Sequence, residues 1–441
     1  MTENIEVMGK KERILEAPFY GARREKVRVM VTGLGIVSPL GSDIAEFWSR
    51  LCAGESGVAP ATSFDTASFA SSLVAEVRDF DPINTLGAKL SRRTDRVTQF
   101  GLIAAFQAWS DSGFDVVMGS TDDVGVCAGT SIGGLGTAFR THDIVREGNL
   151  RRISPFTMSA TFANALSGEI SIALGVTGPS ESISNGCSST ASAMVRAAEL
   201  IRNGECRAVV VAGAEAPLHP TIFAAMEAGG MLAPDNGGRV RDLPRPFDAR
   251  RCGIVMGEGA GAIILEDFRH ALQRGARIYG EFVGSGASCD AYSMFKPRAD
   301  GMLAQLAIEK AIQAAGWNAP QVDYINACGL GTRDLDQVET LAIKNALGEG
   351  AGRIPISSLK GALGHAFAAS GIFQVIASLL SMRDGLIPPT LNLSESDPEC
   401  DLGYIRNMHW APNLQRVLVN SFGFGGKNVV LALAQIEGSL Q

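Results

Sequence analysis

The chain has 441 residues, of which 46% are hydrophobic and 19% charged, and its formal net charge is −7. This composition indicates a globular protein with a large buried core, and the negative charge argues against nucleic acid or an anionic membrane as the main partner. No uncharged apolar run reaches the roughly 18 residues of a membrane span. The eight cysteines have no paired spacing and the N-terminus lacks a secretory signal, so we expect free thiols in the cytoplasm.

The first half of the chain alternates short apolar runs with helix-like segments. A charged stretch, residues 1–27, comes first. Apolar, β-branched runs then predict buried strands at residues 27–37, 124–129, 208–216 and 259–267. Amphipathic segments that end at a glycine predict helices at residues 98–113 and 189–204. This alternation favours an α/β layered fold with buried strands.

The second half repeats this order. Strands are predicted at residues 276–288 and 322–329, helices at 301–316 and 370–385, and a closing hairpin at 415–435. The similar order of the two halves indicates an internal duplication. We therefore divide the chain into a charged N-terminal extension (1–27), an N-terminal half (28–275) and a C-terminal half (276–441).

Cys187 is the sharpest candidate for a reactive residue. It follows Asn185 and Gly186 at the end of an extended run and precedes a helix that opens with small residues. Unpaired N–H groups and the helix dipole stabilise a thiolate at a helix start, so this position predicts a lowered thiol pKa. A buried structural cysteine is the alternative, and this segment alone leaves both readings open.

A lysine and a histidine flank a glycine-rich turn that leads into a second apolar helix. These are Lys360 and His365, and the histidine is one of only five in the chain. Histidine is a natural hydrogen-bond donor or proton carrier for thioester chemistry. A lone histidine is more often structural, so a catalytic role for His365 depends on its being considered together with Cys187.

The segment 420–428 alternates glycines with Phe422 and Phe424. Glycines let the backbone approach a ligand closely while the aromatic rings line it. An N–H in this segment could complete an oxyanion hole with the N–H of Cys187. A tight turn with two core phenylalanines is the alternative.

In their order along the chain, these motifs resemble those of the β-ketoacyl-acyl-carrier-protein synthases. The order is Cys187, then a DxxE pair (Asp336 and Glu339), then Lys360 and His365, then the FGFGG turn. Further matches are residues 153–156, 245–261 and 289–292. The similarity runs from about residue 28 to 435, and it is greatest to the type II elongating synthases of bacterial fatty acid and polyketide pathways.

The resemblance implies a thiolase-like fold, with duplicated halves in five layers (αβαβα), usually dimeric, and a tunnel for pantetheine. It also implies that Cys187 takes an acyl group from acyl carrier protein. The N–H groups of Cys187 and Phe424 would form the oxyanion hole, and the ring of Phe424 would gate the entry, with Phe422 beside it. No cofactor is implied beyond the phosphopantetheine of the carrier.

Five other residues match family positions. Lys360 and His365 match the family's lysine and its second histidine. Glu339 matches its buried acid, with Asp336 as a further supporting residue, and Thr332 matches a threonine on the pantetheine side.

The first family histidine is missing. Where the family has Asn-Ala-His-Gly-Thr, residues 326–330 read Asn-Ala-Cys-Gly-Leu, which puts Cys328 in its place. In the family, two neutral histidines donate to the malonyl thioester oxygen as carbon dioxide leaves, and a thiol is a weak donor by comparison. Loss of one oxyanion donor typically costs about 10²–10³ in rate. Acyl loading of Cys187 needs that donor less, so loading could survive while condensation fails.

Other substitutions surround the implied tunnel. Leu330 replaces a threonine of the pantetheine wall, and Phe295 stands where another threonine is usual. Gln374 stands where some relatives have a glutamate that helps bind a structural cation, beside residues that match Asn326 and Asn420. No metal site is therefore predicted.

Three functions stay open. The chain is a condensing enzyme in which another group replaces the lost donor, a loading acyltransferase that stops at acyl-Cys187, or a chain-length-factor-like partner in a heterodimer. The retained cysteine argues against a simple copy of the last, and homodimer and heterodimer both stay possible.

An acidic carrier protein needs a basic patch on its partner. Arg92, Arg93, Arg151 and Arg152 lie where the family presents such charges. Solvated basic turns are the alternative.

Overall fold

The structure, a computed structural model, describes residues 27–114, 123–235 and 242–436. Apart from Val27, the predicted N-terminal extension lies outside the described residues. The strands within these ranges are β1 (Val29–Val37), β2 (Val58–Pro60), β3 (Leu73–Ala75), β4 (Val124–Gly129), β5 (Ser180–Ile183), β6 (Ala208–Glu215), β7 (Met256–Gly257), β8 (Gly259–Asp267), β9 (Gly280–Cys289), β10 (Tyr324–Asn326), β11 (Ile356–Ser357), β12 (Leu386–Ile387), β13 (His409–Trp410), β14 (Arg416–Gly423) and β15 (Lys427–Ala434).

The helices include every one that the sequence predicted. In the described ranges they are α1 (Ile44–Cys52), α2 (Pro82–Leu86), α3 (Ala88–Arg93), α4 (Arg96–Ser112), α5 (Leu135–Arg146), α6 (Thr157–Thr161), α7 (Ala165–Leu174), α8 (Ser189–Arg202), α9 (Pro220–Ala228), α10 (Phe268–Gln273), α11 (Met302–Ala315), α12 (Arg333–Leu347), α13 (Lys360–Leu363) and α14 (Ala368–Asp384). Short 3₁₀ turns lie at Leu150–Arg152, Ala319–Gln321 and Gly348–Arg353.

Ten strands form one sheet in the order β11-β10-β14-β15-β9-β1-β8-β6-β4-β5. Outward from the centre, β1 pairs antiparallel with β8 and β8 antiparallel with β6, while β4 is parallel to both β6 and β5. In the other half, β9 pairs antiparallel with β15 and β15 antiparallel with β14, while β10 is parallel to both β14 and β11. Strands β1 and β9 join the halves. This repeated topology confirms the predicted duplication.

Helices cover and separate the two half-sheets. Helices α4 and α7 pack on the first half-sheet, α11 packs on the second with α12 beside it, and α8 packs against α14 between the two half-sheets. The chain thus forms the predicted five layers, αβαβα. Smaller sheets, β2-β3-β7 and β12-β13, flank this body.

Strand burial and close helix packing explain why these segments fold in this way. Every residue of β1 and β6 is buried, as continuous apolar runs predict. Gly35 of β1 and Gly286 of β9 play equivalent roles in the two halves. A Cβ at either would lie 2.0 Å from a helix carbonyl, that of Ala104 or Ala307, so only glycine lets α4 and α11 approach their strands.

Three further predictions concern the chain as a whole. All eight cysteines are free thiols, as predicted. In the described ranges no helix is both long and apolar enough to cross a membrane. The predicted boundary at residues 275 and 276 falls between α10 and β9 and stays a prediction.

Four connections bring the candidate residues together. The turn from β5 to α8 carries Cys187, and the equivalent connection from β11 to α14 carries Lys360 and His365. The loop after β10 carries Cys328, and the β14–β15 hairpin carries Phe424. Residues far apart in sequence therefore meet because the two halves share one topology.

Candidate active site

Cys187 lies one residue before Ser188, the N-cap of α8. The preceding Gly186 has a φ of 58°, a conformation that favours glycine. The Ser131 hydroxyl donates to the Gly186 carbonyl at 2.8 Å, and the Ser189 N–H donates to the same oxygen at 3.1 Å. These bonds fix the turn, and they leave the Cys187 side chain only 4% exposed.

Two predicted partners surround the sulfur of Cys187. Its Sγ lies 3.1 Å from Nε2 of His365. The backbone N–H of Phe424 donates to the same sulfur. The structure thus brings together the predicted nucleophile, the predicted proton carrier and one predicted donor of the oxyanion hole.

The predicted lowering of the thiol pKa is wrong for this resting state. Burial raises the pKa of Cys187 to about 12, and the Phe424 hydrogen bond and the Lys360 charge oppose this only in part. Desolvation disfavours the thiolate more than the helix start favours it. The resting nucleophile is therefore a thiol, and it needs a base within hydrogen-bonding distance.

His365 is suited to be that base because it is neutral. Burial lowers the pKa of His365 well below its usual value, and the positive charge of Lys360 adds to this effect. Its Nδ1 lies 3.3 Å from the hydroxyl of Ser370, which accepts the N–H of Ala366 at 3.0 Å. With Nδ1–H donated to Ser370, Nε2 is free to accept the thiol proton of Cys187.

Lys360 is directed at the loop after β10. Its Nζ donates to the carbonyl of Cys328 and lies 3.9 Å from the sulfur of Cys328. That thiol donates to the Phe422 carbonyl at 3.3 Å. Burial raises the pKa of Cys328 to about 11, so the proton stays on the sulfur. The weak donor at the missing-histidine position is therefore already bound to a backbone oxygen.

Two buried acids hold this loop. Glu339 accepts the N–H of Cys328 at 2.8 Å and that of Gly329 at 2.7 Å. Asp336 accepts the N–H of Leu330 at 2.8 Å and that of Gly331 at 3.1 Å. Burial raises the pKa of both carboxyl groups, to about 7 for Asp336. Both acids therefore contact the backbone of this loop, in agreement with a supporting role.

The predicted substrate-side residues lie near the Phe424 ring and the loop after β10. Phe295 is 57% exposed, and its ring meets that of Phe424 edge to face at 6.0 Å. These two rings and Phe422 line one small crevice. Leu330 is buried, and the buried hydroxyl of Thr332 has no hydrogen-bond partner among the described residues. A role for Thr332 on the pantetheine side stays a prediction.

Glu215, which the sequence did not single out, holds the backbone of two segments beside the site. It is fully buried at the end of β6 and accepts the N–H groups of Ser131 at 2.8 Å, Ile132 at 3.2 Å and Ala368 at 3.4 Å. These bonds join the loop after β4 to the start of α14. A glutamate in the otherwise apolar run 208–216 was the available signal.

Sequence reasoning also passed over Phe367, whose ring packs against His365 with centroids 4.8 Å apart. Its φ of 43° is unusual for a side chain other than glycine. No pattern in the sequence signals that conformation.

The four predicted docking arginines differ in their surroundings. Arg92, Arg151 and Arg152 are exposed, and Arg152 lies 3.9 Å from Glu147. Arg93 is half-buried and pairs with Glu169 at 2.6 Å, so part of its charge is neutralised. Carrier-protein docking at these residues stays a prediction.

Two protein-family models match the sequence. "Beta-ketoacyl synthase, N-terminal domain" matches residues 26–271, and "Beta-ketoacyl synthase, C-terminal domain" matches residues 279–394. A 3-oxoacyl-[acyl-carrier-protein] synthase 2 of Synechocystis sp. is 39% identical over 416 residues, which cover 94% of this chain and 100% of the relative.

Solved structures share the fold. The ishigamide ketosynthase/chain length factor is 31% identical with a TM-score of 0.85, over 93% of this chain and 100% of that chain. A type II PKS ketosynthase bound to the hexaketide, in complex with its acyl-carrier protein, is 31% identical with a TM-score of 0.84, over 94% of this chain and 100% of that chain. These neighbours confirm the predicted thiolase-like architecture.

Proposed function

The chain belongs to the beta-ketoacyl synthase family, and from that premise we propose that it loads an acyl chain from acyl carrier protein onto Cys187 but condenses it poorly. The single observation that carries the proposal is the contrast between two thiols. Cys187 faces a neutral imidazole and a backbone N–H. Cys328, in the place of a catalytic histidine, donates instead to the Phe422 carbonyl.

The geometry supports the loading step. As the sulfur of Cys187 attacks the carrier thioester, Nε2 of His365 takes the thiol proton. The Phe424 N–H stabilises the negative charge that forms on the thioester carbonyl oxygen. When the carbon–sulfur bond to the carrier breaks, His365 returns the proton to the departing pantetheine thiol. The products are acyl-Cys187 and free carrier thiol.

The condensation step lacks one donor. Loss of carbon dioxide from a malonyl thioester leaves an enolate, whose oxygen needs hydrogen-bond donors. His365 can supply one of them in its other neutral tautomer, with the proton on Nε2 and with Nδ1 accepting from the Ser370 hydroxyl. The thiol of Cys328 is a weak donor that is already engaged, and the amine of Lys360 is held on the Cys328 carbonyl.

Loading is tested by intact-mass measurement. The full chain is mixed with acyl-acyl carrier protein, and we expect an adduct equal in mass to the acyl group. Cys187→Ala removes the adduct, whereas Cys252→Ala, which changes an exposed cysteine, keeps it. No adduct on the wild-type chain would refute loading.

Condensation is tested by carbon dioxide release from malonyl-acyl carrier protein. We expect a rate about 10²–10³ below that of a family member with both histidines. Equal rates would refute impaired condensation while leaving loading intact.

An edge of the sheet supports a second proposal, a dimer with another synthase-like chain. Strand β5 ends the ten-stranded sheet, so one side of it is unpaired among the described strands. Close to it in sequence, Phe156, Met158, Phe162 and Ile172 expose 48% to 68% of their surface. Light scattering distinguishes the outcomes: a homodimer of the chain alone, a heterodimer formed only with a two-histidine synthase, or a monomer in both cases, which would refute the proposal.

A further inference from the structure

The side-chain amide of Gln374 lies at the centre of a ring of oxygen atoms. Its Nε2 is 3.2 Å from both the carbonyl and the side-chain oxygen of Asn326, 2.9 Å from the carbonyl of Ala327 and 3.1 Å from the carbonyl of Asn420. The glutamine lies on α14 and is 3% exposed, and the oxygens come from the end of β10 and from β14. One nitrogen thus joins three elements of the C-terminal half.

Such a set of oxygens is typical of a site for a hard cation, because these ions take carbonyl and carboxylate ligands. The residue present does not fit one. The –NH₂ group of an amide donates hydrogen bonds and cannot ligate a metal. Its distances to the four oxygens lie in the range of N–H···O bonds, and its two hydrogens are shared among these four acceptors. Turning the amide over would place its oxygen against four other oxygens, so the acceptors fix its orientation.

This junction, formed by the Gln374 amide and its four acceptors, connects to the loop that carries Cys328. The side chain of Asn420 donates to Glu339 at 2.9 Å, and Glu339 accepts the N–H of Cys328 at 2.8 Å. The side chain of Asn326 donates back to the Gln374 carbonyl at 3.2 Å. A donor at position 374 therefore holds the loop that carries Cys328.

We propose that Gln374 is a built-in substitute for a structural cation: its amide holds the ends of β10 and β14 together, and the chain needs no metal ion at this junction. Gln374 is on this view a positioning residue. A carboxylate at the same place would add a negative charge to a ring of oxygens and would need a cation to neutralise it.

The test is thermal unfolding of the full chain in sodium, potassium or tetramethylammonium chloride at equal ionic strength. The wild-type Tm should agree among the three salts within about 1 °C. Gln374→Glu should unfold about 4 °C or more lower in tetramethylammonium, and sodium or potassium should restore at least half of that loss. Gln374→Met lacks both the donor and the charge, so it should be destabilised equally in all three salts.

Gln99→Glu is the matched control. The amide of Gln99 also donates to two backbone carbonyls, those of Ser91 at 2.9 Å and Thr94 at 3.0 Å, but without a ring of oxygens around it. Its loss of stability should not depend on the cation. A wild-type Tm that rises with sodium or potassium alone, or a Gln374→Glu variant that responds equally to all three salts, would overturn the proposal. The wild-type comparison decides the matter even where a variant fails to fold.

Discussion

Replacing Cys328 with histidine should restore the missing donor. In the wild-type chain the Cys328 thiol donates to the Phe422 carbonyl at 3.3 Å, so it contributes nothing towards a substrate oxygen. An imidazole reaches further from the backbone and is a stronger donor. We expect Cys328→His to raise malonyl decarboxylation by about 10²–10³, or about 2.7–4 kcal/mol of transition-state stabilisation.

The same substitution has a structural cost. Position 328 is 4% exposed and its neighbour Leu330 is 2% exposed, so a larger ring must displace packed side chains. Overpacking of this kind costs about 1–3 kcal/mol of stability, which would lower the Tm without hiding a gain in rate.

The assay is carbon dioxide release from malonyl-acyl carrier protein, with loading of Cys187 measured in parallel by intact mass. Cys328→Ala is the control, because it removes the thiol without adding a donor and should leave decarboxylation unchanged. If Cys328→His folds and still loads acyl groups, yet decarboxylates at the wild-type rate, then the missing donor does not limit condensation. The cause would then lie elsewhere in the tunnel.

Four further predictions concern the site and the proposed docking surface. His365→Asn should slow loading by about 10²–10⁴ in an intact-mass time course, because it removes the base. Burial lowers the pKa of His365 in the folded chain, whereas the unfolded chain keeps the usual value of 6.5. Below pH 6.5 the unfolded chain therefore binds a proton that the folded chain does not. Wild-type stability should therefore fall as the pH drops through and below that value, by at most about 1.4 kcal/mol per pH unit, and urea unfolding should show a shallower fall for His365→Asn. Glu215→Ala leaves buried N–H groups unpaired and should lower the free energy of unfolding, measured in urea, by about 3 kcal/mol. Arg151→Glu combined with Arg152→Glu should raise KM for the carrier about tenfold at unchanged kcat, whereas the exposed Arg353→Glu should change neither.

The fold was predictable because its signals are local and repeated. The continuous apolar runs of β1 and β6 and the helices that end at glycine, such as α4 and α11, depend only on neighbouring residues. The pairing of β1 with β9, which merges the two half-sheets into one, depends on residues some 250 positions apart. No periodicity in the sequence indicates that contact.

The site was predictable as a set of residues but not in its electrostatics. Order along the chain placed His365 with Cys187, and the structure puts the two 3.1 Å apart. The direction of the Cys187 pKa was wrong, because a helix start is visible in a sequence whereas the depth of burial around it is not. The resemblance placed Gln374 beside Asn326 and Asn420, but the sequence did not indicate its four acceptors, which come from elements that meet only in the folded chain.

The two thiols differ in the nature of the neighbouring atom rather than in burial. Both are 4% exposed, and burial raises the pKa of both. Cys187 faces a nitrogen that can take its proton and an N–H that can stabilise the product, so it can react without a stable thiolate. The Cys328 thiol donates to a carbonyl oxygen, which accepts a hydrogen bond but does not act as a base. The amine of Lys360 donates to the backbone carbonyl of Cys328. We therefore expect the side chain at position 328 to separate loading from condensation, with Cys187 unchanged.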